Sequence, residues 1–370
     1  MGRTYLDHAS TSPARPEAVD AMLPWLSFAA DPGRVHTDGR QARGAVEQAR
    51  EQVAALLGAR PREVVFTSGA TESIATAVWG ATGRGRHVVV PAVEHSAVRD
   101  ASAAFGEVSE VGVDGLGRVD AGAVLAAIRP GGTALVHVQW ANHEVGTLQP
   151  VAEVVAGCRA AGVLVHVDAA CAAGHVAVDF GALGADLLSV SAHKLGGPQG
   201  VGALLVRRGL RLRPLLVGGE QERSRRAGME NVAGVAGFGA AAAALAGSLA
   251  LEADRARAHT AALVAAATAV EGVVTYGDLD GRVPHIVCLG VAGVEAEAVL
   301  LGLDQAGIAA HSGSACSSES LEPSPVLAAM GVEAERSLRV SVGWSTTTAD
   351  VEAFATAFPA VVGRLRALRA

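Results

Sequence analysis

The chain has 370 residues, of which 50% are hydrophobic and 18% are charged, and its formal net charge is -7. This composition is typical of a folded protein rather than a disordered one, and the length allows two packed domains. The excess of negative charge argues against a surface that binds duplex nucleic acid through bulk electrostatics.

The first residues lack the apolar core of a signal peptide, so we expect the protein to stay in the cytoplasm. The cysteines show no Cys-x-x-Cys pair and no zinc-ligand spacing, so neither a metal site nor a disulfide framework is expected. Residues 232–251 carry no charge and are long enough to span a bilayer. Because most of them are alanine or glycine, which contribute little transfer free energy, we interpret them as a buried helix and expect no membrane span.

The chain begins with a short lead-in at residues 1–12, and helical periodicity follows at 16–28 and 40–57. Short apolar segments then alternate with helical ones, and these apolar segments lie at 64–66, 87–90, 134–140, 163–167, 187–191 and 201–206. Valine- and leucine-rich strands that alternate with helices predict a mostly parallel sheet covered on both faces. Ligands bind such sheets beyond the carboxyl ends of the strands.

The pattern changes after about residue 252. It predicts a helix, and then the following elements: a strand at 285–291, a helix at 294–306, strands at 308–311 and 337–342, and a closing helix that begins near Thr347 and Asp350 with a capping-box-like start. This mixture predicts a smaller α+β domain. We therefore predict a large domain at 13–252 and a small domain formed by 1–12 and 253–370.

Lys194 follows the predicted strand at 187–191 directly, with Ser191 and His193 beside it and a glycine-rich turn after it. Desolvation at such a position disfavours the ammonium form, which is the property that a Schiff-base lysine needs. The alternative is a lysine whose stem lies along the protein while its ammonium group reaches water.

Residues 67–73 follow the first strand of the sheet and read Thr-Ser-Gly-Ala-Thr-Glu-Ser. Gly69 permits a tight turn and Thr71 opens a helix, so backbone amides and hydroxyl groups converge on one point. This predicts an anion-binding cradle, with a simple helix cap as the alternative.

Two further candidate site residues lie directly after predicted strands. Asp168 ends the apolar segment at 163–167, where a buried carboxylate needs a cationic partner. His95 follows the segment at 87–90, where a histidine taken alone is more often structural than functional.

The sequence Ser-x-His-Lys-Leu-Gly-Gly-Pro at 191–198 resembles the cofactor-lysine segment of the class V aminotransferase family of pyridoxal-phosphate (PLP) enzymes. Within that family the chain most resembles the group I, NifS/IscS-like cysteine desulfurases, over about residues 5–366. The resemblance implies a PLP cofactor, a homodimer, and the α/β fold of fold type I PLP-dependent transferases. That fold has a large domain with a mostly parallel seven-stranded sheet and a smaller α+β domain.

The resemblance also implies roles for single residues. Lys194 would bind the cofactor covalently, Asp168 would pair with the pyridine nitrogen, and His95 would stack on the ring and relay protons. The residues that would hold the phosphate group are Ala70, Thr71, Ser191 and His193.

Three positions depart from the family pattern. In Asn-His-Glu-Val-Gly, His143 replaces the asparagine that contacts the phenolic oxygen of the cofactor, so the resemblance implies this contact for His143, with Asn142 as a residue that shares it. Cys171 replaces a glutamine with the same contact. Met229 replaces a threonine that reaches the phosphate from the second subunit, and it cannot make that hydrogen bond.

Cys316 lies in a segment of glycine, serine and alanine, a composition that suits a mobile and accessible loop. A cysteine in such a loop is more often incidental than nucleophilic. However, Ser-Gly-Ser-Ala-Cys-x-Ser at 312–318 with Leu-Glu-Pro-Ser downstream resembles the active-cysteine loop of the group I desulfurases. Arg339 matches the family arginine that binds the substrate carboxylate, for which its planar fork is suited.

The resemblance therefore implies conversion of L-cysteine to L-alanine, with the sulfur passing to Cys316 as a persulfide and on to an acceptor protein. A selenocysteine lyase-like or other class V enzyme is the first alternative, and a non-enzymatic sulfur-carrier scaffold is the second. A dehydrogenase is disfavoured because no Gly-x-Gly-x-x-Gly opens a helix after an early strand. The sequence does not distinguish acceptors in iron–sulfur assembly, tRNA thiolation, DNA modification or metabolite thiolation.

Overall fold

The computed structural model describes residues 3–29, 31–312 and 324–368. Its helices are α1 (Pro16–Leu26), α2 (Thr37–Leu56), α3 (Ala70–Ala81), α4 (Ser96–Phe105), α5 (Ala121–Ala126), α6 (Val151–Ala161), α7 (Phe180–Leu183), α8 (Gln221–Ser224), α9 (Val232–Ala246), α10 (Leu249–Thr268), α11 (Ala296–Gln305), α12 (Pro325–Ala329) and α13 (Thr348–Ala367). Its strands are β1 (Thr4–Tyr5), β2 (Val64–Thr67), β3 (His87–Pro91), β4 (Glu107–Val111), β5 (Thr133–Gln139), β6 (Leu164–Asp168), β7 (Leu187–Ser191), β8 (Gly202–Val206), β9 (Val273–Tyr276), β10 (Ile286–Val291), β11 (Ile308–Ala309), β12 (His311–Ser312) and β13 (Ser337–Ser341).

A seven-stranded sheet in the order β2-β8-β7-β6-β5-β3-β4 forms the larger of the sheets in these residues. The pairs β7-β6, β6-β5, β5-β3 and β3-β4 are parallel, whereas β8 is antiparallel to both β7 and β2. Every residue of β5 and β7 is buried, because both faces of the sheet are covered. The mostly parallel seven-stranded sheet of fold type I is thus confirmed.

The strand β4 is not predicted by the apolar segments of the sequence. It reads Glu-Val-Ser-Glu-Val, and most of its residues are exposed. An edge strand is half solvated, so it lacks the continuous apolar segment of the central strands. The strand β9 also lies at a sheet edge and escapes the prediction for the same reason.

The lead-in crosses to the C-terminal part of the chain. β1 pairs parallel with β11, while β12, β13, β10 and β9 form an antiparallel sheet. The single strand predicted at 308–311 is in fact two strands that belong to different sheets. An apolar core joins Leu6 to Phe354 and Phe358 of α13. The capping box of Thr347 and Asp350 begins α13 as predicted.

Residues 232–251 form two helices rather than one. α9 ends at Ala246 and α10 begins at Leu249, with a bend of 79° between them, so α10 also runs through the domain boundary predicted at residue 252. The glycines of α9 allow close packing: a Cβ on Gly239 would lie 2.5 Å from the Cα of Ala49 on α2. In the described residues no single helix is long and apolar enough to cross a membrane, although this bent pair passes that test by length and composition.

A buried ion pair joins α2 to the segment before α9. The guanidinium nitrogens of Arg50 donate to both carboxylate oxygens of Glu222, at 2.7 and 2.8 Å, and the amide of Phe66 donates to the same carboxylate at 2.9 Å. Glu222 begins three consecutive non-glycine residues with positive φ, a conformation that costs of order 1 kcal/mol or more per residue. The ion pair therefore holds a strained turn in place.

We predict that Glu222→Ala destabilises the protein by about 3 kcal/mol, because it leaves the buried Arg50 guanidinium with the half-exposed Glu47 carboxylate as its remaining acidic partner. The measurement is the free energy of unfolding in guanidinium chloride. Arg223→Ala is the control, since this neighbouring arginine forms an exposed pair with Glu47 that is worth less than about 1 kcal/mol. Equal losses in the two variants would contradict the role of the ion pair.

Candidate active site

A cavity of about 500 Å³ opens at the carboxyl ends of β5, β6 and β7. Most of the predicted site residues line it, and these are Ala70, Thr71, His95, His143, Asp168, Ser191, His193, Lys194 and Arg339. Asn142 is not part of the lining, and Cys316 lies outside the described residues. The parallel sheet thus brings together side chains that the sequence places on separate segments.

Lys194 lies in a short 3-10 turn, Ala192–Leu195, that follows β7 directly. Its Nζ donates to the carbonyl oxygen of Ala9, and the amide of Ser12 donates to the carbonyl oxygen of His193 at 2.9 Å. Gly196 ends the turn at φ 84°, and a Cβ there would meet the side chain of Arg15 at 2.6 Å. The lysine is therefore held between the sheet and the N-terminal lead-in.

The predicted anion cradle lies where β2 passes into α3. Ser68, Gly69, Ala70 and Thr71 line one end of the cavity, and Ser191 and His193 line it as well. The first amides of a twelve-residue helix have no partner within the helix and carry its positive dipole end. Burial lowers the pKa of His193 to about 4, so its ring is neutral at pH 7 and could meet an anion only as a hydrogen-bond donor.

Asp168 is the last residue of β6, and Gln139 lies opposite it at the end of β5. The Asp168 carboxylate is buried, and its Oδ1 accepts a hydrogen bond from the amide of Ala170 at 2.9 Å. Two residues earlier on the same strand, burial lowers the pKa of His166 to about 4. This neutral ring does not compensate the charge of Asp168, which suits the carboxylate to a cationic group in the cavity.

Glu94 is fully buried behind the cavity wall. Its Oε1 accepts a hydrogen bond from the amide of Gln139 at 2.5 Å. Burial, and secondly the nearby charge of Asp168, raises the pKa of Glu94 to about 8. The Glu94 carboxyl group is thus mostly protonated at pH 7.

His95 lines the cavity and also caps α4. Its Nδ1 accepts a hydrogen bond from the amide of Ala97 at 3.1 Å. In the neutral ring the hydrogen then lies on Nε2. The position is compatible with stacking on a bound ring.

The segment that follows β5 separates the roles of Asn142 and His143. The Oδ1 atom of Asn142 accepts hydrogen bonds from the amides of Glu144 and Val145, and its amide nitrogen donates to the carbonyl oxygen of Val93. Its side chain thus holds the turn and is not directed to the cavity, so the structure does not support the cofactor contact predicted for Asn142. His143 does line the cavity.

Arg339 on β13 reaches the cavity although its side chain is almost completely buried. Its Nη2 donates to Asp7 Oδ1 at 3.0 Å and to Ser10 Oγ at 2.9 Å, and its Nη1 donates to the carbonyl oxygen of His143 at 2.9 Å. These contacts fix the plane of the guanidinium group. A carboxylate bound in the cavity would therefore meet an arginine that is already oriented.

Of the other departures, Cys171 lines the cavity, whereas Met229 is 65% exposed and is not part of its lining. Several lining residues escape sequence reasoning, and they include Ser10, Thr11, Gln139 and Gln199. Gln139 carried a usable signal, since it is a polar residue near the end of the apolar segment predicted at 134–140. No local signal places Ser10 and Thr11 near Lys194.

Comparisons with known proteins identify the family of this chain. The family model for class-V aminotransferases matches residues 4–354. The chain is 39% identical over 378 residues to "Cysteine desulfurase IscS 1" of Archaeoglobus fulgidus, with 98% of both chains covered. The fold is similar to that of a solved "NifS-like protein", with a TM-score of 0.91, 30% identity, and coverage of 98% of this chain and 100% of that one.

A further solved structure, "SspA in complex with cysteine", has a TM-score of 0.80 and 28% identity, and the match covers 92% of this chain and 99% of that chain. The family match spans most of the sequence, and the motifs around Lys194, Asp168 and residues 67–73 converge on one cavity. The chain therefore belongs to the class-V aminotransferase family, among its NifS/IscS-like cysteine desulfurases.

Proposed function

We propose that this protein is a PLP-dependent cysteine desulfurase, which converts L-cysteine to L-alanine and transfers the sulfur to Cys316 and then to an acceptor protein. The observation that carries the proposal is the convergence of Lys194, Asp168, Arg339 and the anion cradle on one cavity. The relatives named cysteine desulfurases support it, as does the similar fold of the SspA structure with bound cysteine.

The residues present fit the proposed cofactor. An amine for the aldehyde, a buried carboxylate for the pyridine nitrogen and a helix N-terminus for the phosphate all line the same cavity, in Lys194, Asp168 and the turn before α3. When bound, PLP supplies an electron sink for the substrate Cα. Lys194 would hold the cofactor through Nζ, and His95 would cover the ring.

Arg339 would bind the carboxylate of cysteine. Its charge is partly compensated by Asp7, so the arginine remains buried and charged before the substrate arrives. Lys194, which lines the same cavity, would move the proton of the substrate Cα.

The sulfur step would break the Cβ–Sγ bond of the substrate, form an S–S bond between that sulfur and the Cys316 thiolate, and place a proton on Cβ, which leaves alanine and a Cys316 persulfide. Cys316 must react as the thiolate, because the thiol is a poor nucleophile. The acceptor then takes the terminal sulfur and regenerates the Cys316 thiol. These roles of Cys316 follow from its motif, since the residue lies outside the described part of the chain.

We also propose a homodimer and a cytoplasmic location. Exposed apolar side chains near α1 and the segment before α9 support the dimer, and they include Leu23, Leu26, Val217 and Met229. Large apolar side chains that are this exposed are typical of surfaces that another chain covers.

We predict that Asp168→Asn lowers cofactor affinity or turnover by about a hundredfold or more, since removing one member of a buried charge pair costs on the order of 3 kcal/mol. Titration with PLP, followed by visible absorption, and alanine release measure the two effects. Asp179→Asn is the matched control, because Asp179 caps α7 away from the cavity and asparagine caps equally well. Normal binding and turnover in Asp168→Asn would contradict the pairing.

For Cys316→Ser we expect a protein that still turns yellow with PLP and binds cysteine, but forms no persulfide and releases essentially no alanine. The hydroxyl group is a far weaker nucleophile than the thiolate near neutral pH. Mass spectrometry of the protein and an alanine assay give the result, with Cys158→Ser, a buried helix residue, as control. Alanine production at the wild-type rate would favour the lyase alternative.

The double variant Val217→Glu and Met229→Lys should sediment as a smaller species than the wild type, because charged side chains disfavour an apolar interface. Leu301→Lys is the control, since Leu301 is also exposed but lies on α11 in the C-terminal part. An unchanged mass of the double variant would place the dimer interface elsewhere.

A further inference from the structure

An arginine of the lead-in binds the end of the turn that carries Lys194. The backbone amide of Arg15 donates to the carbonyl oxygen of Gly196 at 2.8 Å, and its side-chain Nε donates to the carbonyl oxygen of Leu195 at 3.1 Å. Leu195 and Gly196 are the two residues that follow Lys194. Arg15 thus binds the turn through both its main chain and its side chain.

The outer nitrogens of the same guanidinium group bind Glu252 on α10. Nη1 donates to Oε1 at 2.9 Å and Nη2 donates to Oε2 at 2.6 Å, which is the paired geometry that arginine forms with carboxylates. The Arg15 side chain is 8% exposed and that of Glu252 is 16% exposed, so water screens this pair only weakly. The hydroxyl group of Ser248 also donates to Oε1, at 2.7 Å, which fixes the carboxylate on its own helix.

Both members of the pair carry their charge at neutral pH. Burial by itself favours the neutral form of Glu252, but the hydrogen bonds from Arg15 and Ser248 lower the pKa of its carboxyl group below the usual range. A guanidinium group stays protonated in proteins. The contact between Arg15 and Glu252 is therefore a buried ion pair that joins α10 to the Lys194 turn.

Trp344 packs against the same guanidinium group. The Arg15 guanidinium carbon lies 5.5 Å from the centroid of the Trp344 ring, and Nε1 of this tryptophan donates to the carbonyl oxygen of Pro13 at 2.9 Å. Arg15, Lys194, Glu252 and Trp344 line a cavity of about 20 Å³, which has room for about one water molecule. The arginine is thus closely packed where it meets the turn.

The main chain and the side chain of Lys194 are held in different ways. Its Nζ donates to a single carbonyl oxygen, that of Ala9, and an amine can exchange such a partner for another. The main chain on either side is held more firmly, by the amide of Ser12 on His193 and by Arg15 on the two residues that follow. The amine can therefore move while the Cα of Lys194 stays in place.

We propose that Arg15, held by Glu252, is a positioning residue for Lys194: it fixes the main chain of the turn, so that the amine can change partners at constant Cα position. The inference rests on the proposed function, in which Lys194 both binds PLP and moves a proton. Two such steps by one side chain need a rigid support, because a displacement of about 1 Å can cost on the order of a hundredfold in rate.

The first test uses the protein without PLP. The amides of Gly196 and Gly197 donate to the carbonyl oxygen of Ala192, so their hydrogen exchange reports how often the turn opens. We expect Arg15→Gln to accelerate this exchange by about tenfold or more, the size of one lost charge-assisted hydrogen bond. Mass spectrometry of the peptide that covers 192–197 gives the rates. Unchanged exchange in this peptide would overturn the proposal.

A control variant separates this local effect from a general loss of stability. Leu263 is fully buried on α10, the helix that carries Glu252, and it lines neither of the two cavities. Leu263→Ala destabilises the protein by leaving a void in the core, so it should lower the free energy of unfolding but keep the wild-type exchange of residues 192–197. Equal acceleration in the two variants would mean that Arg15 has no special hold on the turn.

The second test adds PLP and cysteine. Arg15→Gln should bind PLP about tenfold more weakly and should lower kcat by at least as much, since the amine is no longer held in register with its partners. The KM for cysteine should stay within about twofold of the wild-type value, because the contacts of Arg339 are untouched. A change in KM alone, with normal PLP affinity and kcat, would contradict a positioning role.

Arg15→Lys distinguishes the ion pair from the support of the turn. Lysine keeps the charge for Glu252, but its single nitrogen cannot bind the carboxylate and the Leu195 carbonyl together as the guanidinium fork does. We expect this variant to regain most of the unfolding free energy that Arg15→Gln loses, while its exchange at 192–197 stays fast and its PLP affinity stays low. Recovery of all three properties would overturn the assignment.

The two variants also keep the inference separate from the proposed function. If Arg15→Gln does not fold, the exchange of residues 192–197 in Arg15→Lys decides whether Arg15 holds the turn. If the wild-type protein releases no alanine from cysteine, the proposed function fails, whereas the exchange measurement without PLP still confirms or overturns the hold of Arg15 on the Lys194 turn.

Discussion

The parallel pairing of β5, β6 and β7 is the constraint on which the candidate site depends. In register, Gln139 lies opposite Asp168, and the next strand leads directly into the turn of Lys194. Because parallel strands end at the same edge, residues far apart in sequence become neighbours without any loop having to adopt a special path. The helix cap of His95 and the cradle before α3 are added to that edge by the connections that the parallel topology requires.

Burial then divides the ionisable groups at this edge into charged and neutral members. Glu94 and Asp168 are close enough to influence each other, and the more deeply buried Glu94 is the one whose carboxyl pKa rises to about 8. His166 and His193 are driven to the neutral state by burial. Arg339 and Asp168, which line the same cavity, are the groups with a proposed partner on the substrate or cofactor, whereas Glu72 in the lining is paired with Arg226.

Sequence patterns predicted the central strands and the residues at their ends, because continuous valine and leucine segments signal strands buried on both faces. The sequence patterns did not predict β4, because most of its side chains face solvent and it has no continuous apolar segment. They also did not predict the break at Ala310 between β11 and β12. Asn142 was assigned a contact by its place in a motif, but its amide completes three hydrogen bonds to the main chain. Ser10 and Thr11 could not be foreseen, since their approach to the cavity depends on tertiary pairing rather than on local sequence.

The crossing of the lead-in also determines when the cavity can be completed during synthesis of the chain. Asp7 and Arg339 are separated by 332 positions, and Ala9 and Lys194 by 185. The large sheet is complete once β8 has left the ribosome, and the lead-in can then contact His193 and Lys194, but its anchors in the C-terminal strands emerge only with β11 and β13. Contacts at such separations form late, because the entropy of closing the intervening loop must be overcome first. Between the emergence of β8 and that of β13 the nascent chain therefore has a cavity that lacks Arg339, and the contacts of the lead-in with the C-terminal strands are among the last to form.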